Sequence, residues 1–69
     1  MRYFIVEQHR EPRSMYAGDR IVDIKELERT AKEVTYEQAM KPALWGDGHI
    51  AVDESGKWKW LRSNFDTSG

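Results

Sequence analysis

Two of the three tryptophans in this chain stand one residue apart, in "KWKWLR" at 57–62, interleaved with Lys57, Lys59 and Arg62. Aromatic rings among cations can form a core wall, a phosphate-binding surface or a protein contact. Other chemistry-bearing types are sparse. His9 and His49 are the only imidazoles, and "DGHIAVD" brings Asp47, His49 and Asp53 into one neighbourhood. That spacing matches no metal-ligand pattern, so no metal and no cofactor are expected. Ser14, Ser55 and Ser63 fall in expected loops without a companion base, and neither a phosphate-binding loop nor a dinucleotide fingerprint occurs. A chain this small also has little mass with which to wall a reaction off from water. The expectation is a protein that is not an enzyme.

The elements that must position these residues can be read from patterning. "RYFIVEQ" is a strand, apolar on both faces, with Tyr3 and Ile5 on one side and Phe4 and Val6 on the other. "REPRSMYAGD" is a loop. "DIKELERTAKEV" predicts a main helix over 24–34, with Ile24, Leu27, Ala31 and Val34 as its stripe and Asp23 as N-cap. Glu28 with Lys32 and Arg29 with Glu33 would be its surface pairs. Thr35 followed by Gln38 signals a second, short helical segment, which Pro42 must end or kink.

The last element is a hairpin over 49–62. A three-residue loop of Glu54, Ser55 and Gly56 sets Val52 opposite Trp58 and Ile50 opposite Trp60. All four then share one face, a core wall for the helix stripe. Ala51, Lys59 and Leu61 take the other face, with His49 near its end. The expected fold class is α+β: a small antiparallel sheet, one main helix and a short second helix, in a single domain over 1–69. One sheet face is then left open. The 10–19 loop with Met15 and Tyr16, a second copy of the chain, or a foreign protein would cover it.

Bulk composition narrows the class. The 69 residues carry eleven basic and twelve acidic side chains, a net charge of −1, so no global field draws the chain to nucleic acid or an anionic membrane. No apolar run approaches the roughly 18 residues of a membrane span. The apolar run in "MRYFIVEQH" is too short for a signal peptide, and cysteine is absent, so a cytoplasmic location is expected.

In order of elements, residues 23–66 resemble the small winged-helix DNA binders of the excisionase type, with "GKWKWLRSNFD" as the closing wing. That resemblance implies phosphate contacts from Lys57, Lys59 and Arg62. Asp23, Glu26, Glu28, Glu33 and Glu37 outnumber Lys25, Arg29 and Lys32 in the helical part, which a duplex would repel. In size and order, from "MRYFIVEQ" through "DIKELERTAKEV" to "ESGKWKW", the chain is also similar to small phage-encoded proteins that block host machinery, anti-CRISPR proteins among them. That resemblance implies a protein partner occupied at its surface. The residues expected to make contact are Arg13, Tyr16, Trp45, Lys59 and Arg62. DNA binding through the wing is the alternative.

Overall fold

The computed structural model describes residues 1–16 and 18–65. Four strands form one antiparallel sheet: β1 (Arg2–Glu7), β2 (Lys32–Val34), β3 (Asp47–Val52) and β4 (Trp58–Ser63), in the order β2-β1-β3-β4. Two helices, α1 (Ile24–Thr30) and α2 (Tyr36–Ala39), and a single 3-10 turn at Arg13–Tyr16 complete the described elements. The α+β class and the C-terminal hairpin agree with the sequence reading.

The hairpin closes as its turn chemistry requires. Asp53 N–H donates to Lys57 O at 2.9 Å and Gly56 N–H to Asp53 O at 3.0 Å. Gly56 has φ +89°, a left-handed conformation that costs other residues roughly 1–2 kcal/mol. A Cβ there would also lie 2.7 Å from Val22 O. Val52 pairs with Trp58 and Ile50 with Trp60, as expected. Beyond them the register shifts: His49 pairs with Arg62, leaving Leu61 as the extra residue of a bulge.

The first face of the sheet is sealed. Phe4 and Val6 of β1, Ile50 and Val52 of β3 and Trp58 of β4 form one buried cluster with Met15, Val22 and Leu27. Ile24, Ala31, Trp60 and Phe65 pack around it. The Trp60 ring stands edge-on between Trp58 and Phe65, at 5.1 and 5.4 Å. Its bulk is why position 48 is glycine: a Cβ on Gly48 would approach the Trp60 ring to 2.4 Å. Of the 10–19 loop, Met15 packs into this first-face core.

The main helix is shorter than expected. Asp23 caps it, accepting from Lys25 and Glu26 N–H, and Ala31 N–H closes the last turn on Leu27 O. At Ala31 the backbone turns extended (φ −129°, ψ 165°), and 32–34 becomes edge strand β2 instead of helix. Val34 pairs with Tyr3 across the sheet, so its place in the helical stripe was a coincidence of spacing. The surface pairs expected within the helix are replaced by one bridge from β1. Arg2 reaches Glu28 at 3.0 Å and Glu33 at 2.8 Å while lying over the Phe4 ring.

Candidate protein-contact surface

The second face of the sheet is built in cross-strand rows. Lys32, Ile5, His49 and Arg62 make one row; Val34, Tyr3, Ala51 and Lys59 make the next. Its middle is covered by α2. A reciprocal capping box of Thr35 and Gln38 starts this helix, as the sequence indicated. Ala39 is buried, and the Tyr36 ring meets the Tyr3 ring edge-on at 5.4 Å. His49, 4% exposed, sets Nδ1 2.9 Å from Ala39 O. A carbonyl only accepts, so Nδ1 carries the proton and donates. His49 is thus the pin between helix and sheet. Asp47 and Asp53 lie at opposite ends of β3, about 20 Å apart by strand rise. No group of metal-binding side chains forms among the described residues.

Past Ala39 the chain runs along this face without a further helix. It is tied to the end of β4: Arg62 Nε donates to Met40 O at 3.3 Å, Asn64 Nδ2 to Ala43 O at 3.1 Å, and Gly46 N–H to Asn64 O at 2.7 Å. The backbone is therefore fixed, yet large side chains on it, and Tyr36 before it, stay partly or largely exposed. Tyr36 is 57% exposed, Met40 36%, Leu44 75% and Trp45 70%. Leu44 borders an open cleft of about 390 Å³ with Ile5, Arg10, Arg29 and Lys32. Cations therefore rim the apolar segment: Lys32 on the β2 side, Lys59 and Arg62 on the β4 side.

The five contact residues expected from sequence divide into two groups. Lys59, Arg62 and Trp45 lie on the second-face side, at or next to β4. Arg13 and Tyr16 belong to the 3-10 turn on the first-face side. Arg13 is exposed, and its backbone N–H donates to Glu26 Oε1 at 2.7 Å. Tyr16 is 66% exposed and shares a groove with Arg20, Trp58 and Trp60. Partial burial, then the charge of Glu11, raises its hydroxyl pKa. Leu44, Met40 and Tyr36 were missed. The signal for them was present: Pro42 ends the helix inside an apolar run, so "MKPALW" cannot bury its side chains along one helical stripe.

Winged-helix recognition of a duplex lays a helix in the major groove. Here α2 has four residues and presents Ala39 to the sheet, and α1 has seven. Lys57, Lys59 and Arg62 remain as a basic strand, with Lys57 bridged to Ile21. No helix is long and apolar enough to cross a membrane among the described residues. No protein-family model matches this chain, and no curated protein or solved structure matches it.

Proposed function

We propose that this is a small non-enzymatic binding protein that occupies the surface of a protein partner, with 36–45 and the adjoining β4 cations as its contact. One observation carries the reading: four large apolar side chains stand 36–75% exposed within ten residues of a backbone held by hydrogen bonds. Exposed apolar groups on a rigid base lose little entropy when covered, and aromatic and cationic types dominate interface energies. Surface occupation of host machinery, as phage-encoded inhibitors practise it, needs no catalytic group and is part of this proposal.

The test compares lysate capture by the wild type and by a Leu44→Ser/Trp45→Ser variant, quantified by mass spectrometry at low and high salt. The reading requires a partner held by the wild type at both salt levels and lost at least tenfold by the variant. Capture unaffected by the variant removes this surface from the function. Retention of duplex DNA that falls steeply with salt supports the winged-helix alternative.

A further inference from the structure

The outer strand β4 is open on one side. The approach to it and its first residue are covered by the 20–22 segment: Ile21 bridges Lys57, Trp58 N–H donates to Arg20 O at 3.3 Å, and Val22 N–H donates to Gly56 O. From Lys59 to Ser63 no described strand pairs with that edge. A strand edge presents outward backbone donors and acceptors that can template one more strand, and here the Leu61 bulge interrupts their regular sequence. The 20–22 segment acts as a stop, fixing where an added strand begins.

Side chains along the open edge set what that strand must carry. On the second face stand Lys59 and Arg62, the latter brought there by the Leu61 bulge opposite His49. On the first face stands Trp60, half-buried against Trp58 and Phe65. The stretch 57–63 contains no acidic residue, although the chain as a whole is net acidic at −1. Pairing two copies of β4 would set these cations against one another, so the edge is not self-complementary. An incoming strand that alternates acidic and apolar residues answers both faces at once, its carboxylates on Lys59 and Arg62 and its apolar side chains on Trp60.

From this we infer that β4 takes an extended acidic segment of the protein partner as a fifth strand, over residues 59–63. The inference rests on the protein-binding reading and names the chemistry of the partner. The probe is an acetylated and amidated peptide of about eight residues alternating glutamate and valine, titrated into the labelled protein and followed by amide NMR. Saturable shifts and slowed amide exchange are expected within 59–63. Methylating alternate peptide nitrogens, which removes the ladder donors, should weaken binding at least tenfold. So should Lys59→Glu with Arg62→Glu; Lys57→Glu with Lys59→Glu serves if the first pair unfolds the chain, and either pair should gain affinity for a lysine–valine peptide.

Shifts centred on Leu44 and Trp45 with 59–63 unprotected would overturn the inference, as would equal binding of the methylated peptide or no saturable shift at millimolar peptide. A lysate partner lost with the Leu44/Trp45 variant, together with an unprotected β4 edge, would leave the binding reading standing and remove only the fifth strand. Loss of both results would remove both.

Discussion

The two faces of the same sheet are finished in opposite ways. On the first, α1, Val22 and Met15 close over Phe4, Val6, Ile50, Val52 and Trp58, and every one of these side chains is at most 6% exposed except those at the rim. On the second, a four-residue helix covers only the centre, and the chain after it turns Met40, Leu44 and Trp45 outward. Burial of the first kind is where a small domain obtains its stability. Apolar exposure on a fixed backbone, as on the second, adds little to folding and is what the proposed contact would cover. The sharpest way to break this comparison is to shorten one leucine on each side. Leu27→Ala removes a fully buried side chain and should cost about 2–5 kcal/mol, a large share of what so small a chain holds. Leu44→Ala, at 75% exposure, should stay within roughly 0.5 kcal/mol. Urea unfolding measures both; equal losses would mean that the second side is core.

A smaller effect sharpens what seals the first face. Gly48→Ala drives a methyl toward the rings of Trp60 and Phe65, at 2.4 and 2.8 Å. Side-chain ends can move, so the strand survives and the aromatic stack gives way. The expected loss is about 1–3 kcal/mol, with increased quenching of tryptophan fluorescence as Trp60 is displaced. An unchanged emission spectrum and midpoint would show that these rings have room to spare.

How much of this was legible follows the same division. The hairpin could be read because turn chemistry and apolar alternation each chose one register, and both are local. The Asp23 N-cap and the capping box of Thr35 and Gln38 were local too, whereas the Glu26 carboxylate turns to Arg13 N–H instead of closing a box on Asp23. Val34 misled because a step of three from Ala31 fits a helix, while its actual partner, Tyr3, lies at the far end of the sequence and no short-range pattern announces it. The Arg2 bridge to Glu28 and Glu33 was hidden for the same reason. The Leu61 bulge moved Arg62 into the His49 row, and nothing in "WKWLRS" marks it. Of the expected contacts, Trp45, Lys59 and Arg62 fall on one side because β4 and the 40–46 segment are stitched together. Arg13 and Tyr16 were assigned by residue type alone, and the fold sends them to the opposite side.

The lid on the second face should yield more gently than the seal on the first. Thr35→Ala removes the side chain that accepts from Gln38 N–H and ends the reciprocal box. A lost N-cap costs about 1 kcal/mol, but here it starts a helix of a single turn. Local opening of α2 should therefore outrun global unfolding, with amide exchange at Ala39 and Met40 accelerated several-fold while β1 and β3 amides hold. Uniform acceleration across the sheet would mean that α2 is part of the cooperative core, and the contrast between the faces would weaken.

The rims give the smallest effect, and it carries a sign. Arg2, through its hydrogen bonds first and its charge second, lowers the Glu33 pKa beneath its ordinary 4.5. Ser55, with the backbone N–H groups of Ser55 and Lys57, lowers that of Asp53 beneath 3.8. A depressed carboxyl stabilises the fold above its unfolded value and loses that contribution as pH falls through the folded one. Glu33 is solvent-exposed and Asp53 partly so, so the effect on stability is small and screened by salt. The melting temperature should hold above about pH 5 and decline below the ordinary carboxylate range. Glu33→Gln should lower it at neutral pH, with the gap to wild type closing as the solution is acidified. Asp53→Asn tests the hairpin turn in the same way, and there a residual gap should persist at low pH, because an amide oxygen aligned by its own backbone cannot keep all three hydrogen bonds in the same geometry. If neither gap narrows on acidification, the two carboxyls act by shape alone, and the rim adds no charge-based support to the face it borders.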